Sequence, residues 1–337
     1  MKYPPYTNEA FRLSLVVPMY NEEEAIPLFL TRVMPILESV TDDYELICIN
    51  DGSQDQTLSL LMAEHERNPR IKIIELTRNF GKEVALTAGL DATSGDAIIP
   101  LDADLQDPPE LIPELVDKWR EGFDMVVAVR SDRSNDTLPK RLTANLFYRA
   151  IGQLGEVPIP ANAGDFRLMD RRVVEALKLL PERTRFMKGL FAWLGFKQTA
   201  ISYSRPKRAA GVGKWKAWQL WNFALDGVFS FSTLPLRIWT YFGILTAIVA
   251  LGYGGYITVR TFLFGIDVPG YASIVVMILF FSGMQMIGLG IIGEYLGRVF
   301  LEVKQRPQYL VRDMIGFHEQ AIPNLHTNRP YPIRHYD

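Results

Sequence analysis

From Ile238 to Val259 the chain carries no charged residue, and from Val268 to Gly293 it again carries none. Each run exceeds the roughly 20 apolar residues that a helix needs to cross the hydrocarbon core of a bilayer. A single such run also suits a buried core helix. Two in tandem, joined by the short stretch from Arg260 to Asp267, read as a helical hairpin in a membrane. Trp239, Tyr241 and Tyr271 lie near the starts of the runs, where aromatic side chains favour the interface. Lys214, Lys216 and Arg237 precede the hairpin and Arg298, Lys304 and Arg306 follow it, while the turn holds only Arg260, offset by Asp267. Basic flanks stay on the cytoplasmic side, so both termini and the large N-terminal part are expected in the cytoplasm. Gly288, Gly290, Gly293 and Gly297 suit close approach of helices, and with it a homo-oligomer. The polar, Pro-rich stretch from Met1 to Phe11 does not read as a secretory signal peptide.

The residues before the hairpin have a different texture. Apolar, β-branched runs recur at Leu13–Val17, Glu45–Ile49, Ile71–Leu76, Ala97–Leu101 and Met125–Val129. Helix-like stretches alternate with them near Glu22–Ser39, Asp55–Glu66, Lys82–Ala92 and Glu110–Arg120, two of them opened by Asp55 and by Asp107-Pro108-Pro109-Glu110. This alternation predicts an α/β fold, a mostly parallel sheet covered by helices on both faces. The chain's net charge of -2 argues against a nucleic-acid binder. Its one cysteine, Cys48, leaves no disulfide framework, and its four histidines have no zinc spacing.

Ligands of such sheets bind at the carboxyl ends of the strands. Polar and acidic residues collect there: Pro18-Met19-Tyr20-Asn21-Glu22, Asn50-Asp51-Gly52-Ser53, Asp102-Ala103-Asp104-Leu105-Gln106 and Arg130. The turn after the first strand has no glycine and three carboxylates, so it would repel a pyrophosphate, and no GxxxxGK[ST] sequence exists. Dinucleotide and P-loop readings fall together. A nucleoside diphosphate at this edge must be neutralised. Asp102 and Asp104, with Gln106 nearby, offer hard oxygen ligands for Mg²⁺ or Mn²⁺.

Together these strand-end segments resemble glycosyltransferase family 2. The matching segments run from Val17 to Glu22, from Asn50 to Thr57 and from Asp102 to Pro109. Within the family the chain resembles the dolichyl-phosphate mannose synthase group and its bacterial relatives, the undecaprenyl-phosphate (bactoprenol) glucosyltransferases with two C-terminal membrane helices. The resemblance implies a GT-A fold, a nucleotide-sugar donor and a polyprenyl-phosphate acceptor. It places Pro18, Tyr20 and Glu22 around the base and ribose, and Asp51 on the base, uracil in many bacterial members. It sets Asp102 and Ala103 beside the nucleotide, with Asp102, Asp104 and Gln106 at the metal. The family segment from Arg78 to Lys82 is read as a turn at Gly81 with structural side chains. Asn162-Ala163-Gly164-Asp165-Phe166-Arg167-Leu168 resembles the acceptor loop, with Asp165 either a base or an orienting group.

The basic run from Arg205 to Lys216 holds five cations and no carboxylate. It matches a family segment with Arg208, Gly211 and Lys214 in register, while Gly213 and Trp215 stand where the family has Ser and Tyr. Arg208 and Lys214 would bind phosphate, joined by Arg130 and Arg141. The aromatic stretch from Trp215 to Phe229 suits either helices lying in the interface or ordinary core packing. The expected divisions are a cytoplasmic GT-A domain over 1–210, an interfacial segment over 211–236, two membrane helices over 237–297 and a cytoplasmic tail over 298–337. The implied activity is inverting transfer of a hexose from a UDP-sugar, glucose foremost, to undecaprenyl phosphate for cell-envelope glycosylation. Competing readings are another nucleotide-sugar (GDP-mannose, a UDP-aminoarabinose derivative or UDP-N-acetylglucosamine) and a polysaccharide or glycolipid synthase acting on a sugar hydroxyl. The synthases' Gln-x-x-Arg-Trp motif is missing here, where Gln219-Leu220-Trp221-Asn222 stands.

Overall fold

The computed structural model describes residues 10–130, 163–180, 182, 187–203, 234–265 and 270–317. Its elements begin with β1 (Leu13–Met19), α1 (Ala25–Val40), β2 (Tyr44–Asn50), α2 (Thr57–Arg67), β3 (Ile71–Leu76), α3 (Lys82–Asp91) and β4 (Ala97–Pro100). A 3-10 turn at Pro109–Leu111 leads into α4 (Ile112–Arg120) and β5 (Met125–Arg130). Then come β6 (Ala163–Asp170), α5 (Arg171–Lys178), α6 (Met187–Trp193) and β7 (Gln198–Tyr203). Two long helices, α7 (Leu234–Phe264) and α8 (Tyr271–Val303), precede a last strand, β8 (Val311–Ile315).

Among the described residues eight strands form one sheet in the order β7-β5-β6-β4-β1-β2-β3-β8. The parallel pairings among β1 to β4 follow the alternation read from the sequence. Two strands depart from it. β6 runs antiparallel to both β4 and β5, and β8 runs antiparallel to β3. Side chains alternate across the strands: Leu13, Leu15 and Val17 pack with Phe29, Val33, Leu115 and Trp119 on one face. Val16, Ile47 and Ile49 pack with Leu86, Val173 and Phe191 on the other. Helices therefore cover both faces.

Helix α2 begins two residues later than its sequence signal, because Asp55 lies outside the helix and accepts from Thr57 N at 3.1 Å. The hairpin helices extend beyond the uncharged runs, to 31 and 33 residues. Trp239 lies against Gly288, where a Cβ would come within 1.8 Å of the indole nitrogen. Gly290, Gly293 and Gly297 face nothing within 4 Å. Over the described residues no helix is long and apolar enough to cross a membrane.

The segment assigned from sequence to a tail returns to the sheet. Thr77 N donates to Leu310 O at 3.0 Å. Tyr309 donates to Asp91 Oδ2 at 2.8 Å, and Arg312 reaches Glu75 Oε1 at 2.9 Å. Strand β8 thus caps the β3 edge. Edge strands advertise no such position by hydrophobicity, since Val-Arg-Asp-Met-Ile is neither clearly apolar nor alternating.

Candidate active site

The site is built where β1, β2, β4 and β5 end and β6 begins. The loop after β1 and the loop after β2 are laced together. Asn21 N donates to Ser53 Oγ at 3.0 Å, Gln54 N to Asn21 Oδ1 at 2.9 Å, Glu22 N to Thr57 Oγ1 at 2.9 Å and Gln56 N to Glu23 Oε2 at 2.9 Å. Asn21 takes a left-handed conformation, φ 53°. Pro18, Tyr20 and Glu22 are half-buried along this seam.

Asp51 is buried, and both carboxylate oxygens are engaged, accepting from Phe80 N at 2.7 Å and Gly81 N at 2.9 Å. Its observed contacts are with the backbone of the 78–81 loop. Burial pushes its carboxyl up, against those two backbone hydrogen bonds and the nearby Arg78. Gly52 follows with φ 67°, and a Cβ there would lie 2.5 Å from the backbone carbon of Arg78. The loop over residues 78–81 is thus seated directly on the end of β2.

After β4 the chain alternates. Asp102, Asp104 and Gln106 are half-buried, while Ala103 and Leu105 are packed into the core. Ala103 is therefore a packing residue by its side chain. Leu105 takes φ 55°, a strained value for a non-glycine residue, and Gln106 N donates to Asp104 Oδ1 at 3.1 Å. Asp107 is buried and accepts from the Tyr203 hydroxyl, tying this loop to the end of β7. Burial, then Asp107, pushes the Tyr203 hydroxyl up to about 12, with Arg130 pulling the other way.

The antiparallel course of β6 brings Asp165 here. β4 and β6 pair Ala97 with Asp170 and Ile98 with Met169. Asp102 lies two residues past the end of β4, and Asp165 near the start of β6. Carboxylates brought together repel, and a lysine lies between them: Lys82 Nζ is 2.8 Å from Asp102 Oδ2 and 2.8 Å from Asp165 Oδ2. Burial works against the Lys82 charge, but Asp165 and Asp102 outweigh it and raise the ammonium's pKa. Burial pushes the Asp102 carboxyl up despite Lys82, with Asp165 and Asp107 adding to the rise.

Lys82 was missed by reading the 78–82 segment as structural. Its signal in the sequence was a cation in the first turn of a helix, where the dipole disfavours positive charge. Behind Asp165, Arg167 is buried, donates to Gly164 O at 2.7 Å and lies 4.0 Å from the Phe191 ring centroid. Burial pushes its guanidinium down to about 10. Arg130 is half-buried at the end of β5, whereas Arg141, Arg208 and Lys214 lie outside the described residues.

Among the described residues no three His, Cys, Asp or Glu side chains are grouped to hold a metal on their own. Asp102 and Asp104 nevertheless fit a hard divalent ion that draws its other ligands from phosphate oxygens and water.

The glycosyl transferase family 2 pattern matches residues 14–178 and the GtrB C-terminal hairpin pattern matches residues 234–299. An uncharacterised glycosyltransferase of Synechocystis is 55% identical over 313 residues, 93% of this chain and 98% of that one. The chain belongs to glycosyltransferase family 2. The enzyme's α/β sheet is of the family's GT-A type. Similar too are the bactoprenol glucosyl transferase of Shigella phage SfX, at 51% identity over 89% of this chain and 99% of that one. A prophage bactoprenol glucosyl transferase homolog of Escherichia coli K12 is 52% identical over 89% of this glycosyltransferase and 98% of its own length.

Proposed function

We propose that this glycosyltransferase moves glucose from UDP-glucose to undecaprenyl phosphate, with inversion and with a divalent metal, at the cytoplasmic face of a bacterial membrane. The observation that carries the reading is the Asp102–Lys82–Asp165 cluster, set at the sheet's ligand-binding edge in a chain that also holds a long apolar hairpin. Support for glucose and the lipid acceptor comes from the bactoprenol glucosyl transferases at 51–52% identity.

Support for a membrane setting is physical. It comes from the sequence, where the uncharged runs Ile238–Val259 and Val268–Gly293 each supply the roughly 20 residues that a crossing needs, although over the described residues no helix is long and apolar enough to cross a membrane. Phe262 is 89% exposed and Phe264 82% exposed. Apolar surface on this scale needs lipid or a partner to cover it. The flanking basic residues favour a cytoplasmic catalytic domain.

In the reaction an acceptor phosphate oxygen attacks the anomeric carbon, and the bond to the nucleoside diphosphate breaks with its electron pair leaving on that group. Asp102 and Asp104 would hold a divalent ion, which would supply charge neutralisation for the leaving diphosphate. The acceptor phosphate is already ionised at neutral pH, so Asp165 serves to orient hydroxyls or acceptor rather than to remove a proton. Arg130, with Arg208 and Lys214 of the basic run, binds phosphate. The Asp107–Tyr203 bond fixes the loop on which Asp102 and Asp104 sit.

Purified full-length protein given undecaprenyl phosphate and, in separate arms, UDP-glucose, GDP-mannose, UDP-N-acetylglucosamine or a UDP-aminoarabinose derivative tests this. Mass spectrometry is expected to find a hexosyl lipid phosphate in the UDP-glucose arm, abolished by EDTA. Soluble or polysaccharide products alone would sink the acceptor assignment. Product in another arm only would sink glucose.

A further inference from the structure

We propose that Lys82 is an internal counter-cation that occupies Asp102 in the donor-free enzyme, so that a divalent metal enters together with the donor diphosphate rather than before it. The inference rests on the metal-dependent reading above and adds the order in which the site is assembled.

Three observations carry it. Asp102, just past the end of β4, and Asp165, near the start of β6, converge on Lys82 Nζ, 2.8 Å from each, which offsets one of their two negative charges. Secondly, the backbone is arranged to deliver this lysine. Asp51 holds Phe80 N and Gly81 N, Gly81 turns at φ 99°, and Lys82 becomes the first residue of α3. A cation at that end of a helix is disfavoured by the helix dipole, so the two carboxylates must offset the cost. Thirdly, the described residues hold no group of three metal-ligating side chains. With Asp102, Asp104 and Gln106 as the half-buried polar groups of this loop, a metal lacks a full ligand set until phosphate oxygens arrive, and Lys82 already holds one Asp102 oxygen. When metal and diphosphate enter together, the metal takes Asp102 and Lys82 keeps Asp165, which therefore stays in place while the reacting groups assemble.

Direct binding of Mn²⁺ to the full-length, detergent-solubilised protein tests this, read from the EPR signal of free Mn²⁺, with and without UDP. Wild type is expected to bind Mn²⁺ weakly alone and much more tightly with UDP. Lys82→Met is expected to bind Mn²⁺ about tenfold more tightly than wild type without UDP, the scale of one close repulsive charge removed from a partly solvated site. That gap should narrow once UDP is present. Lys82→Gln, which keeps hydrogen-bonding capacity without charge, carries the same expectation and covers the case of a Met variant that fails to fold. Lys82→Arg should stay near wild type.

A Lys82→Met or Lys82→Gln protein whose donor-free affinity is unchanged or weaker overturns the proposal. So does Arg130→Gln tightening Mn²⁺ binding as much as Lys82→Met, which would mark a diffuse charge effect instead of occupancy. Absence of Mn²⁺ binding in wild type even with UDP would remove the metal-dependent reading itself, and this inference with it.

Discussion

At the residue scale, charge is placed with care on both edges of the sheet. Glu45, away from the site, is fully buried yet meets Ser14 Oγ at 2.5 Å, Lys72 Nζ at 2.7 Å and Ser94 N at 2.7 Å. Burial alone would push its carboxyl up, but Lys72, Ser14 and Ser94 hold it below the ordinary carboxylate range. A depressed folded-state pKa stabilises above the unfolded value of about 4.3 and is lost as pH falls through the folded value. Glu45→Gln should therefore lower stability by about 3 kcal/mol at pH 7, since it strands the largely buried Lys72 ammonium, and the gap should begin to narrow below about pH 4.3 and close as pH falls through the lower folded-state value. Thermal unfolding of the solubilised chain across pH measures it. Asp165 has Lys82 at one oxygen and Arg167 behind it, which suits holding position more than taking protons. Asp165→Asn should lower kcat by about tenfold or more without altering the shape of the pH–rate profile. An unchanged rate would remove Asp165 from the reaction.

At the element scale, loops decide the site. Gly52 has φ 67° and no room for a Cβ beside Arg78. Gly52→Ala should cost at least about 1–2 kcal/mol, visible as a lower Tm, and should also lower activity, because the loop it displaces carries Lys82. The parallel core strands were legible as apolar runs, and the acidic strand ends as a ligand edge, because burial and period leave marks in composition. The meeting of Asp102 with Asp165 was not. It depends on β6 running backwards, and direction has no residue signature. Lys82 was hidden for a related reason: its two partners are 20 and 83 residues away in sequence. The resemblance placed Asp51 on the base of the donor; in the structure its two oxygens also hold the neighbouring loop through Phe80 N and Gly81 N.

At the scale of the whole molecule, the hairpin lies between two parts of one sheet: β7 precedes it and β8 follows it, on opposite edges. Removing residues 304–337 should expose β3 as a hydrogen-bonding edge and delete the Tyr309–Asp91 and Arg312–Glu75 contacts. The truncated protein is expected to melt lower and to aggregate on size-exclusion chromatography, although Asp102, Lys82 and Asp165 are all retained. Wild-type behaviour would make β8 dispensable.

Placing β8 last also sets a timetable. Synthesis proceeds from the N-terminus, so β3 waits for its neighbour until the hairpin has been made. The sheet is completed only by a ribosome that has already produced both long helices. An enzyme assembled in that sequence has made both long helices before its sheet is closed, and a chain that stalls within the hairpin is left with an open seam along β3.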